Sequence, residues 1–501
     1  MITHKNRSIF LFISLLFFSF NSNVIAQKEK EVKESEIAPP SVTKHTLSFK
    51  NGKVLNYTAT SGYMLLETEE GKDKAKIFYT AYTKDGADIQ TRPITYTFNG
   101  GPGSASVWLH MGGLGPKRIV MTDEGGSLPP PYQIVDNEYT WLDYTDLVFI
   151  DPVMTGFSRP VDGVDKKEFL GYEEDITTVG HFIQLYTSKN ARWASPKYLA
   201  GESYGTTRAA GLSHHLMTRY GMFLNGLVLI SQITNFQTAR FEIGNDLPYS
   251  LFLPTYSATA WYHKKLNPTF DNLEKLMDEV RKFALDDYNY ALTLGDKLSA
   301  NDKNTIAEKL SIYTGLSKDY ILATNLRINI QQFCKELLRA DGKTSGRLDS
   351  RFTGYDYNSA GERTEFDPSY DATIYGPYTV AMYDHLKRNL KVNIEIPYEI
   401  LTGRARPWNY NNVQNQYLNV SEEMRKAMVK NPFMKVLVCN GYYDLATPFF
   451  ASEYTMNHMF LPEHLKSNIT MKYFPAGHMM YIQKESLIKF SDDVKTWFTG
   501  K

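Results

Sequence analysis

Residues 197–205 read Lys197-Tyr198-Leu199-Ala200-Gly201-Glu202-Ser203-Tyr204-Gly205, and this stretch decides the fold. An apolar, strand-competent run enters a Gly-x-Ser-x-Gly turn, and a helix-competent segment follows. A serine at the tip of a tight strand-to-helix turn sits in strained backbone, so the residues two positions away on either side must be small. Both are glycine here. The N–H of Tyr204 would open the helix and point at a developing oxyanion. Ser203 is thus the candidate nucleophile and Tyr204 a candidate oxyanion donor.

A second donor is expected from the loop after an earlier strand. Ile94-Thr95-Tyr96-Thr97-Phe98 is strand-like and runs into Asn99-Gly100-Gly101-Pro102-Gly103, whose glycines let main-chain N–H groups approach a substrate closely. Further strands are predicted over 45–49, 55–60 and 75–82, with the hairpin signal Asn51-Gly52 between the first two. Residues 146–150 and 226–230 are short apolar runs suited to buried parallel strands. Residues 174–186 carry Ile176, Val179, Ile183 and Leu185 near helical spacing. Strands alternating with helices imply a mostly parallel central sheet with helices on both faces.

Between 232 and 397 the alternation stops. Residues 270–294, 306–313 and 319–340 look helical, the last with Leu326, Ile330, Phe333 and Leu337 at helical intervals. This segment is expected to be a mainly helical cap insertion, with loops around 355–371. The core is then expected in two parts, 41–231 and 398–501. The second part holds strands at 435–439 and 469–474 and a closing helix at 484–498.

In such a sheet the acid and the base follow the nucleophile at the ends of later strands. Residues 435–439 lead into Asn440-Gly441-Tyr442-Tyr443-Asp444, and 469–474 lead into Pro475-Ala476-Gly477-His478. Of the 11 histidines, only His458, His464 and His478 lie beyond Asp444, and His478 alone follows a strand through a glycine-containing loop. His478 would take the Ser203 proton, and Asp444 would fix its tautomer and stabilise the imidazolium.

At the N-terminus, Lys5 and Arg7 precede an apolar run over 9–20 broken only by Ser14 and Ser19, and Val24-Ile25-Ala26 has small-x-small character. Residues 1–26 are predicted to be a signal peptide and 27–40, rich in Lys and Glu, a flexible leader. The expected destination is outside the cytoplasm, periplasmic or secreted, with no permanent membrane span. Lys plus Arg and Asp plus Glu both number 55, so no basic excess points to nucleic acid. The two cysteines, Cys334 and Cys439, make no disulfide framework and are read as unpaired thiols, and no structural zinc site is expected.

Several blocks now stand in order. They are Asn99-Gly100-Gly101-Pro102-Gly103-Ser104, Leu114-Gly115-Pro116, Asp151-Pro152-Val153-Met154-Thr155-Gly156-Phe157-Ser158, Gly201 to Gly205, the surroundings of Asp444, and Gly477-His478-Met479. Together they resemble the serine carboxypeptidase family, the carboxypeptidase Y-like branch of the α/β-hydrolases, over most of the chain after about Thr91. The resemblance implies the α/β-hydrolase fold and removal of C-terminal residues from peptides, without metal or other cofactor and best at acidic pH. It also implies that Asn99 and Glu202 hold the substrate's terminal carboxylate and that Gly101 supplies the second oxyanion N–H. Two carboxylates repel, so this role requires Glu202 to be protonated.

Three positions depart from the family. Gly113 stands where a second Glu commonly precedes Leu-Gly-Pro, Thr97 where eukaryotic members carry Trp, and Ser104 where they carry Cys. The triad is untouched, while the carboxylate site has fewer of the family's residues. An esterase, acyltransferase or different exopeptidase with the same triad stays open. A catalytically silent binding protein is disfavoured, because every required role has an occupant.

Overall fold

Runs of five residues with every side chain buried build the centre of a sheet in the computed structural model, which describes residues 37–500. The expected signal peptide and most of the leader lie outside the described residues. Nine strands follow one path: β1 (Ser41–Ser48), β2 (Val54–Glu67), β3 (Asp73–Lys84), β4 (Ile94–Phe98), β5 (Asp146–Ile150), β6 (Lys197–Glu202), β7 (Gly226–Ile230), β8 (Lys435–Gly441) and β9 (Ile469–Phe474). Their spatial order is β1-β2-β3-β5-β4-β6-β7-β8-β9, and the two-residue piece Arg159–Pro160 pairs with β3 off this path. From β1 to β5 the neighbours are antiparallel, and from β5 to β9 they are parallel. This is the α/β-hydrolase fold. β2 alternates buried with more open positions and β1 alternates half-buried with exposed ones, as strands covered on one face do.

Period-two alternation sends successive residues of the central strands into two different cores. Leu227, Leu229, Val436 and Val438 pack with the helices Tyr172–Lys189 and Tyr204–Tyr220. Val228, Ile230, Leu437 and Cys439 pack on the other face with the helix Lys484–Thr499. Cys334 and Cys439 are both buried free thiols. A third apolar cluster joins the helices Leu247–Tyr262, Leu273–Phe283 and Ala300–Thr314 to Tyr442, Tyr443, Leu445 and Phe449, beyond the end of β8.

Two expectations for the helical segment need correction. The helix predicted over 319–340 is two short ones, Lys318–Ala323 and Ile330–Glu336. Asn325 and Leu326 between them take positive φ (52° and 64°), and Asn329 opens the second helix with a reciprocal capping box to Gln332. The helix predicted over 270–294 begins at Leu273 behind the cap Asn272 and passes through a π-helical turn at Ala284–Tyr288. Among the described residues no helix is long and apolar enough to cross a membrane.

The strand order reverses direction at β4. After β4 the chain places β5 on one side of it and then crosses over to place β6 on the other. The loops leaving β4 and β6 therefore diverge from adjacent strand ends, where Phe98 pairs with Gly201. Such a switch point opens a crevice at the carboxyl ends of the strands. Asn99 and Ser203 both begin there, and β8 and β9 deliver their own carboxyl-end loops on the same side.

Candidate active site

Ser203 has φ 60° and ψ −127°, between β6 and the helix that starts at Tyr204. Few non-glycine residues occupy such backbone, and it persists only where the surroundings enforce it. Ser203 N–H donates to Ile230 O at 3.0 Å, tying the turn to β7. A Cβ on Gly201 would come within 2.2 Å of Gly205 O, and one on Gly205 within 2.7 Å of Phe98 O. The two glycines thus let the helix start fold back against β6 and β4. Gly101, from the loop after β4, lines the same two cavities as Ser203, and Tyr204 lines one of them.

Asp444 is wholly buried, and its carboxylate is fully engaged. Oδ1 accepts the N–H groups of Ala446 (2.8 Å) and Thr447 (3.0 Å), and Oδ2 accepts the Thr447 hydroxyl at 2.7 Å. Oδ2 also lies 2.7 Å from His478 Nδ1, which leaves Nε2 as the ring nitrogen available to a reacting group. Burial pushes the imidazole toward neutrality, but the Asp444 charge and hydrogen bond, with Glu202, outweigh it and raise His478 above 6.5. The His478 loop is pinned from the helical segment: Gly477 N–H donates to Asp349 Oδ2 at 3.0 Å, and His478 N–H to Leu348 O at 2.7 Å. His478 and Ser203 line one cavity of about 420 Å3 with Glu202, Trp108 and Met479. No hydrogen bond joins the Ser203 hydroxyl to His478 here. Apo sites commonly hold this link loosely until substrate binds.

Asn99 and Glu202 meet, with Asn99 Nδ2 donating to Glu202 Oε1 at 2.9 Å. Asn99 is itself held by Leu109 N–H on its Oδ1 (3.1 Å) and by Arg208 Nη1 on its carbonyl (2.7 Å). Arg208 is buried and pairs with Asp175 at 2.8 Å, a support that sequence reading missed. The second oxygen of Glu202 accepts the hydroxyl of Tyr481, another residue not foreseen. Its position three residues after His478 was the one signal available. Burial, followed by the Glu202 charge, pushes the Tyr481 phenol well above 10, so it stays a donor.

Tyr481 also explains Gly113. A Cβ at that position would lie 3.1 Å from Tyr481 Cγ and 3.2 Å from its Cβ, closer than ordinary van der Waals contact, so a side chain there would press on the tyrosine. The Tyr481 phenol is a hydrogen-bond partner of Glu202. Burial raises Glu202 from 4.5 to about 7; the nearby Asp444 adds to this, while His478 and the Tyr481 and Asn99 hydrogen bonds oppose it. Of the other departures, Thr97 sits inside β4 and Ser104 accepts the Trp108 indole N–H at 2.8 Å. Among the described residues no group of three or more His, Cys, Asp or Glu side chains could hold a metal.

A sequence model described as serine carboxypeptidase matches residues 50–490. Serine carboxypeptidase-like 9 of Arabidopsis thaliana is 24% identical over 291 residues, which are 55% of this chain and 62% of that relative. Serine carboxypeptidase-like 36 of the same plant is 21% identical over 388 residues, 75% of this chain and 67% of the relative. Carboxypeptidase Y of Schizosaccharomyces pombe is 29% identical over 174 residues, 32% of this chain and 15% of the relative. The chain thus spans less than two thirds of the length of the first and last of these relatives. A solved proline iminopeptidase from Mycobacterium smegmatis aligns with TM-score 0.38 at 11% identity, covering 91% of this chain and 97% of that one. Because the family match runs through every strand from β2 to β9 and takes in Ser203, Asp444 and His478, the chain belongs to the serine carboxypeptidase family.

Proposed function

We propose that the protein is an exported serine carboxypeptidase that removes C-terminal residues from peptides through an acyl-enzyme on Ser203. The observation that carries this reading is Glu202. It is a buried carboxyl pushed to about 7, held by Asn99 and Tyr481, in the wall of the cavity that Ser203 and His478 share. Below that value Glu202 is the neutral acid. Its proton can then be given to a substrate carboxylate, which an ionised Glu202 would repel.

In the reaction, Ser203 Oγ attacks the carbonyl carbon of the last peptide bond and His478 Nε2 takes the hydroxyl proton. The oxyanion is received by the N–H groups of Gly101 and Tyr204. His478 passes its proton to the leaving amine, the C–N bond breaks, and the free amino acid departs. Water, deprotonated by the same imidazole, attacks the ester and regenerates Ser203. Asp444 holds the Nδ1 proton throughout and balances the imidazolium charge. Export rests on the basic and apolar pattern of residues 1–26.

The test compares N-blocked dipeptides carrying a free C-terminus with their amides and with simple esters. Free acids should be cleaved on the order of a hundredfold faster than amides, because a site built for a polar group discriminates strongly against its loss. Equal cleavage would defeat the carboxypeptidase reading and leave an esterase, acyltransferase or other exopeptidase on the same triad.

A further inference from the structure

Ser203 lines a second cavity, of about 450 Å3, together with Tyr204, Phe236, Trp408 and Tyr410. His478 and Glu202 line only the first. If His478 protonates the leaving amine and Glu202 meets the terminal carboxylate, the departing residue occupies the first cavity. The acyl chain must then extend into the second, an assignment that rests on the proposed function.

The lining of the second cavity carries Arg240, Arg347 and Arg406 and no Asp or Glu. The first is different: there Arg347 and Arg406 share the lining with Glu202 and Asp367. All three arginines are exposed, and among the described residues none forms an ion pair. Neighbouring arginines do pair, Arg404 with Glu399 at 3.2 Å and Arg351 with Asp349 at 2.7 Å. Arg240 instead lies over the Phe236 ring, 5.5 Å from its centroid. Three like charges around one concavity repel one another, and among the described residues none of them has a carboxylate partner. A cleft lined by one sign of charge concentrates counter-charge, and the planar guanidinium fork matches a carboxylate.

We infer that the second cavity selects peptides with an aspartate or glutamate N-terminal to the cleaved bond, held by Arg240, Arg347 and Arg406. The acidic side chain supplies the anion that this lining lacks, and its aliphatic stem packs on the aromatic floor.

The test separates binding from turnover. A Ser203→Gly variant removes the nucleophile, and glycine accepts φ 60° without strain. Calorimetry with this variant compares N-acetyl-Ala-Glu-Phe, N-acetyl-Ala-Gln-Phe and N-acetyl-Ala-Lys-Phe at low and high salt. The Glu peptide should bind roughly tenfold more tightly than the Gln peptide at low salt, the Lys peptide more weakly than either, and the preference should shrink at high salt. Adding Arg240→Gln, Arg347→Gln and Arg406→Gln should erase the difference. Equal binding of Glu and Gln peptides, or a preference that survives the triple substitution, would overturn the inference. If the native enzyme fails to cleave the preferred peptide, the carboxypeptidase reading falls while the acidic site stands.

Discussion

Replacing Tyr481 with Phe keeps the ring that fills the space beside Gly113 and removes only the hydroxyl that donates to Glu202 Oε2. A hydrogen bond to an ionised group contributes about 1.5–3 kcal/mol, and a pKa unit corresponds to about 1.36 kcal/mol. If the neutral acid gained nothing from the same hydroxyl, Glu202 would rise by about one to two units. The neutral carboxyl also accepts a hydrogen bond, so the expected rise is about one unit above its present value of about 7. Only the protonated form can meet a substrate carboxylate. The kcat/KM of the native enzyme on a free-acid dipeptide therefore falls as pH rises through about 7. In Tyr481→Phe the falling limb should move about one unit toward alkali, so the variant becomes roughly tenfold faster than the native enzyme above the limb. The rising limb belongs with His478, and since the two groups interact, the fitted values describe the pair. Glu202→Gln serves as the control and should lose the falling limb. A limb that stays in place in Tyr481→Phe, or moves toward acid, would refute the role assigned to this hydrogen bond.

Asp444→Asn should lower kcat by about 10³- to 10⁴-fold with KM within a few-fold of native, because the 2.7 Å contact to Nδ1 would no longer hold the productive tautomer; an unchanged kcat would remove Asp444 from the mechanism. Gly201→Ala places a Cβ 2.2 Å from Gly205 O, so the variant should lose fluorophosphonate labelling of Ser203 or fail to fold; full labelling at the native rate would contradict the turn geometry. Gly113→Glu drives a side chain into the Tyr481 ring and should cost about 1–3 kcal/mol of stability. Adding Tyr481→Ala should recover part of that loss in thermal unfolding, and two strictly additive effects would argue against a shared space.

Strands β4, β5, β7 and β9 fall at the residues the sequence indicates, because runs that are apolar or β-branched and have Gly, Asn, Asp or Pro at one boundary or both have few alternatives to a buried strand. The helical segment was less legible. Leu326, Ile330, Phe333 and Leu337 all pack into one cluster, so their spacing is that of a common apolar surface, yet the backbone breaks at Asn325 and Leu326. Periodicity reports which side chains face a core, and it says nothing about a left-handed pair that restarts the helix in a new direction.

The Gly-x-Ser-x-Gly turn, the places of Asp444 and His478 just past later strands, and the parallel sheet followed from sequence alone. Each depends on local chemistry: glycines flanking a strained serine, and polar residues just past the ends of apolar strands. Tertiary structure alone brought Tyr481 onto Glu202 from 279 positions away and filled the space beside Gly113. It also gathered three arginines from separate segments around one concavity. Such contacts join residues with no shared periodicity, and only the packing of distant loops at the carboxyl edge of the sheet decides them.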